Sequence, residues 1–164
     1  MNNKEKHMEL LELIFHYVNS TEEKISSSKS SFRYEKLDKS NEKKEVRYQD
    51  LKAYRFEIVK PEMKIKFDIS IFRKEGFFSD NHIIEILPRE NRDWGSRHDV
   101  IIIDTHISGF PKKILRKIFD TLEKKESEFF LKQKESQLGG YIEEIQKGID
   151  KSYSRDNKIE NLLK

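Results

Sequence analysis

Two periods organise the apolar positions of this chain, and the switch between them marks its elements. Across residues 4–19, Met8, Leu11, Phe15 and Val18 recur at spacings of three and four, and Leu10, Ile14 and Tyr17 widen the stripe. That spacing predicts an amphipathic helix whose broad apolar face needs a sheet to cover it. Ser20 or Thr21 is placed to cap a short second helix reaching Ile25, with Glu23 completing a capping box if Ser20 is the cap. The serine-rich run 26–31 breaks regularity and reads as a loop.

From Phe32 the period falls to two. Phe32 and Tyr34 alternate, a polar turn follows over 38–44, and Val46 and Tyr48 resume the alternation. This predicts a hairpin with a long charged tip. Tyr54, Phe56 and Ile58 give the next strand, up to the turn at Pro61. Ile65, Phe67, Ile69 and Ile71 give the cleanest alternation, with Lys64, Lys66, Asp68 and Ser70 on the opposite face. A loop containing Gly76, Phe77 and Phe78 leads to a short strand over 83–87 that stops at Pro88. Beyond a charged loop over 88–99, the continuously apolar run 100–103 predicts a central strand covered on both faces, continuing to about Ile107.

Helical spacing returns at Pro111, a residue suited to a first helical turn because its missing N–H costs nothing there. Ile114, Leu115, Ile118, Leu122 and Phe129 carry the spacing towards Gln137, and Gly139-Gly140 is expected to end the helix. Tyr141, Ile142, Ile145 and Ile149 then start another, with Ile159, Leu162 and Leu163 as an apolar tip. This is more amphipathic helix than a sheet of ordinary strands can cover, so its apolar face must meet its own domain or another chain.

The order predicts an α+β protein: an antiparallel meander sheet of about six strands, with an N-terminal helix and two C-terminal helices. A single domain over 1–164 is expected, with a helical segment at 1–30, the sheet at 31–108 and a helical region at 109–164. The element order resembles that of the helix-grip lipid-binding superfamily, and that resemblance implies a curved sheet wrapping a long C-terminal helix. The strand that such folds place ahead of their helices is missing here.

Composition narrows the class. Charged residues make up 38% of the 164, and the mean hydropathy is −0.86, so the surface is densely ionic. The net charge of +3 is spread thinly, with 13 basic and 11 acidic residues over 1–60, 7 and 9 over 61–110, and 13 and 10 over 111–164. A dedicated DNA-binding domain carries a stronger, one-faced excess. With no cysteine, disulfides, thiolate zinc sites and cysteine nucleophiles are excluded. No run of about 18 apolar residues offers a membrane span. The expected location is cytoplasmic, with no membrane partner and no cofactor.

Three places carry candidate chemistry. The loop over 88–99 holds Arg89, Arg92, Trp94, Arg97 and His98. Arginine forks bind phosphate or carboxylate and a tryptophan gives a stacking plane; the plainer reading is a solvated loop whose acids neutralise its arginines. Lys112, Lys113, Arg116 and Lys117 crowd the start of the long helix, where the dipole disfavours cations. Cations at that end can mark an anion site, or simply a lysine-rich face balanced by Asp120 and Glu123. Asp104 and His106, two apart on a strand, share a face, and with Glu85 or His82 they would form an acid–base or divalent-metal cluster. Spacing fixes only two such ligands, so no metal is assigned. Glu62-x-Lys64 after Asp50 has nuclease-like residue types, but Glu-x-Lys also occurs at Glu22, Glu42 and Glu123, close to the roughly three matches chance gives.

The chemistry therefore leans away from an enzyme. The leading expectation is a small interaction protein, of the inhibitor, adaptor or immunity kind, that binds another macromolecule or itself through 111–164. A nucleic-acid or phosphate binder using the arginine loop and the basic helix start is the first alternative. A metal-dependent hydrolase or small-ligand protein using Asp104 and His106 is the second.

Overall fold

The computed structural model describes residues 2–90, 100–108 and 111–163, with side chains at 2–89, 100–107 and 111–152. Helix α1 (Asn3–Ser20) is followed by strands β1 (Ser27–Leu37), β2 (Lys43–Ile58), β3 (Ile65–Lys74), β4 (Asn81–Glu90) and β5 (Ile101–Asp104). The four-residue helix α2 (Thr105–Ser108) and the 52-residue helix α3 (Lys112–Leu163) complete the chain. The fold is α+β, with a five-stranded antiparallel meander in the order β1-β2-β3-β4-β5. The chain divides into two compact units, residues 1–126 and 127–164.

Local chemistry starts α1. Asn2 Oδ1 accepts from the Glu5 N–H at 2.9 Å and the Glu5 carboxylate reaches back to the Asn2 N–H, a capping box that satisfies two donors of the first turn. Leu11, Ile14 and Val18 then lie buried on one stripe. They pack on one face of the sheet with Tyr54, Ile69, Ile71, Ile84, Ile86 and Ile103, and with Leu115, Ile118, Phe119 and Leu122 from the start of α3. Burying each such side chain stabilises the fold by about 1.5–3 kcal/mol.

The other face is covered differently. Opposite β1, strand β2 carries one extra residue between Leu51 and Tyr48, and Asp50 takes the left-handed conformation (φ 56°) that such a bulge needs. Beyond the bulge the outer part of the β1–β2 hairpin curls over the sheet's second face. Phe32 stacks on Phe72, two strands away, with ring centroids 4.8 Å apart. Tyr48, Leu51, Ala53, Phe72 and Ile83 form a second buried cluster, flanked by Phe32, Tyr34, Val46 and Ile102.

Several expectations are corrected. The sheet has five strands, close to the six expected, because 46–48 and 54–58 belong to one strand: the bulge at Asp50 absorbs the irregularity that separates them in the pattern. No helix follows Ser20, and the serine run is the start of β1, where Ser27–Ser30 pair with Tyr54–Leu51. Cross-strand hydrogen bonds override weak local propensity there. Strand β4 continues through Pro88 to Glu90, because β5 pairs only with Ile83–Ile86 and Pro88 lies on an edge that needs no outward donor. Strand β5 ends at Asp104 rather than near Ile107. The two C-terminal helices are one: Gly139 and Gly140 sit inside α3 without ending it, since glycine weakens a helix by about 1 kcal/mol but does not block it as proline does.

Candidate functional site

Asp104 is buried at the end of β5, on the sheet face crossed by the hairpin. Its Oδ2 accepts the Tyr48 hydroxyl at 2.6 Å and the Tyr34 hydroxyl at 2.8 Å. Its Oδ1 accepts the His106 backbone N–H at 3.0 Å, which makes Asp104 the cap of α2 and accounts for the strand ending there. Both phenols are held well above the ordinary tyrosine value, first by burial and then by their hydrogen bonds to the carboxylate. They stay neutral donors, and through them Asp104 ties β1, β2 and β5 together.

The other members of the expected cluster lie apart in role. His106 is exposed on α2, with Nδ1 3.3 Å from Asn81 Nδ2 and the Tyr48 ring meeting it edge-on. Glu85 is half-buried across from Ile102, and burial raises its carboxyl pKa against the opposing pull of Arg55. Among the described residues no group of three His, Asp or Glu side chains is placed to hold a metal.

Of the arginine loop, residues 88–90 are described, as the end of β4, with the Arg89 side chain among them. Its Nε lies 2.5 Å from Asp68 Oδ2 across the β3–β4 pair. Arg92, Trp94, Arg97 and His98 lie outside the described residues. In the basic cluster, Lys112 Nζ donates to Ser79 Oγ at 2.8 Å, tying the start of α3 to the β3–β4 connection. Lys113, Arg116 and Lys117 are exposed.

Sequence reasoning passed over an ionic layer between the sheet and α3. Glu123 accepts from Arg73 at 2.6 Å and Lys52 at 3.0 Å. Glu126 accepts from the Ser27 N–H and hydroxyl and from the Tyr54 hydroxyl at 3.0 Å, anchoring the start of β1. Beside this layer His82 is 1% exposed against the Phe119 ring, and neither ring nitrogen has a hydrogen-bond partner among the described residues. Burial, with the cations Arg73, Arg116 and Lys112 and against Asp80, lowers its pKa to about 4. Only the position of His82, beside an alternating apolar run, hinted at this burial.

Two open clefts accompany these groups. One, of about 680 Å³, is lined by Lys29, Lys52, Arg73 and Lys74 with Asp50 and Glu75. The other, of about 560 Å³, has Ile102, Ile103 and Ile107 beside Lys4, His7, Lys36, Tyr34 and Asp104.

Two groups of exposed apolar side chains stand out among the described residues. Phe77 and Phe78, at the tip of the β3–β4 connection, are each 97% exposed. In the second unit, Leu131, Leu138, Ile142, Ile145 and Ile149 are all more than half exposed. No helix of the described residues is long and apolar enough to cross a membrane. Comparison with protein-family models, curated proteins and solved structures finds no match to this chain.

Proposed function

We propose that this is a non-enzymatic interaction protein that works by helix–helix pairing through the second half of α3, and that the partner fitting that surface is a second copy of the chain. The observation that carries the reading is the apolar stripe Leu131, Leu138, Ile142, Ile145 and Ile149, at spacings of seven, four, three and four, exposed along its whole length. Those are the spacings of a coiled-coil seam. The stripe does not continue the one that packs on the sheet: extending Leu115, Ile118 and Leu122 gives Glu126, Phe129, Gln133, Gly140 and Glu144, so the phase shifts by about half a turn.

Stability supports the reading. Helices in proteins draw most of their stability from packing an apolar face. Here Gly139, Gly140 and Gly148 have open space around them, and each weakens an uncovered helix by about 1 kcal/mol relative to alanine. A partner helix supplies what this segment lacks.

The pattern also favours self-pairing in one orientation. About residue 140 an antiparallel copy sets Leu138 against Ile142, Leu131 against Ile149 and Ile145 against Glu135, an isologous contact. Gly139 then meets its own copy on one flank, where the absent side chains let the backbones approach. A parallel copy would stack Glu128 and Glu135 on themselves in the seam, opposing like charges.

Size exclusion with light scattering on the full chain tests this, beside Ile142→Lys/Ile145→Lys. The expected mass is twice 19.7 kDa for the native chain and 19.7 kDa for the variant. Because the chain has no cysteine, Leu131→Cys mixed with Ile149→Cys should give an oxidised cross-link between the two chains. A native chain at monomer mass that the lysines leave unchanged overturns the reading. The nucleic-acid alternative has less support, since Arg89 faces Asp68 and Lys112 is engaged by Ser79.

A further inference from the structure

The tip of the β3–β4 hairpin is built rather than loose. A Cβ on Gly76 would lie 2.1 Å from the Ser79 carbonyl oxygen, so the backbone closes on itself there and glycine is required. The Gly76 N–H faces Asp80 Oδ1 at 3.4 Å, and the Ser79 hydroxyl accepts from Lys112. Held between these two closures are Phe77 and Phe78, both 97% exposed and meeting each other edge to face at 5.3 Å. Two aromatic rings fully in water on a fixed, convex tip are a poor solution for a surface with no partner.

The charge around the tip says what that partner is. Lys112 is fastened to Ser79, and Lys113 and Arg116 stand exposed in the same first turns of α3, with Lys117 beyond and Lys74 at the end of β3. Against these cations stand Glu75 and Asp80 on the connection and Asp120 on α3, and Lys74 lies over the Tyr48 ring. We infer that Phe77 and Phe78 form a peripheral anchor for an anionic lipid surface: the rings enter the headgroup boundary while Lys113 and Arg116 meet the lipid charge. A protein groove would need one rigid concave complement, whereas two rings almost fully exposed at a turn suit a medium with no preferred direction. Aromatic side chains favour that boundary, and basic residues near it draw anionic lipid within a Debye length. The inference concerns surface attachment and leaves intact the absence of a spanning helix among the described residues.

Flotation of the full chain with vesicles tests it, using phosphatidylcholine alone and phosphatidylcholine with about 30% phosphatidylserine. Binding is expected to the second and not the first. Phe77→Ser/Phe78→Ser should weaken it by about tenfold or more while leaving the thermal unfolding midpoint unchanged, since both rings lie outside the core. Lys113→Glu/Arg116→Glu should weaken it comparably, and salt at about 0.5 M should release the native chain. Failure to float with the phosphatidylserine vesicles at low salt overturns the proposal and leaves the tip to a protein groove. Equal binding to phosphatidylcholine, or binding indifferent to the serine variant, overturns it as well.

Discussion

Tyr34 and Asp104 belong to the two outer strands of the sheet, β1 and β5, yet the Tyr34 hydroxyl donates to the Asp104 carboxylate at 2.8 Å. A flat five-stranded sheet would hold these strands nearly 20 Å apart at about 4.8 Å per step. The contact exists because the hairpin curls over the sheet beyond the bulge at Asp50, and Tyr48 completes it from β2. Asp104 therefore fastens the second core.

Asp104→Ala should destabilise the protein by about 2–4 kcal/mol, because it leaves two tyrosine hydroxyls without their charged acceptor and uncaps α2. Tyr34→Phe should cost only about 1 kcal/mol, its hydroxyl being nearer solvent. Urea unfolding of the two variants measures both. A cost for Asp104→Ala no larger than that of Tyr34→Phe would show that Asp104 is not the fastening point.

Asp50→Gly should be neutral or stabilising by up to about 1 kcal/mol, since glycine adopts the positive φ without strain. Asp50→Val should destabilise by about 1–2 kcal/mol, because a β-branched side chain opposes that conformation. Denaturant midpoints of the pair read out the bulge directly.

His82 makes stability fall in acid. Its folded-state pKa of about 4 lies below the ordinary 6.5, so the unfolded chain takes up the proton more readily. The contribution is complete above about pH 6.5 and is lost as pH falls towards 4, on the order of 3 kcal/mol in all. His82→Phe should flatten the stability–pH curve over that window. Glu126, whose carboxyl is held low against the opposing effect of burial by its hydrogen bonds from Ser27 and Tyr54, adds a further loss only below the ordinary carboxylate value.

Gly140→Ala, on the side of α3 away from the seam, should raise the stability of that helix by about 1 kcal/mol and leave association unchanged. Gly139→Ala adds the same helical preference but puts a methyl group where two copies approach, so it should weaken the dimer. Circular-dichroism melts and light scattering on both variants separate the effects; equal behaviour would count against antiparallel pairing.

Most elements were legible because their signals are local. The three-and-four spacing of Leu11, Ile14 and Val18 marked α1 and its buried face, and the alternation from Ile65 to Ile71 marked β3. Where the sequence misled, a distant partner made the decision. The serines of β1 have little strand preference of their own and become strand by pairing with β2 and by the grip of Glu126 on Ser27. The glycine pair reads as a stop and is carried within α3 instead.

The candidate sites show the same division. Asp104 stood out for sharing a strand face with His106, two residues on, but nothing near it in the chain pointed to Tyr34, 70 residues away. By itself the sequence determined the class of fold, the apolar face of each element and the surplus of helix beyond Phe129, because side-chain periods of two and 3.6 are properties of short stretches. Only the tertiary structure decided that Asp104 is spent on two tyrosines, that His82 is sealed beside Phe119, and that Phe77 and Phe78 stand in water. Those outcomes depend on how far the sheet curls and on which residues its curl brings together, and one left-handed residue in β2 governs that curl more than any motif does.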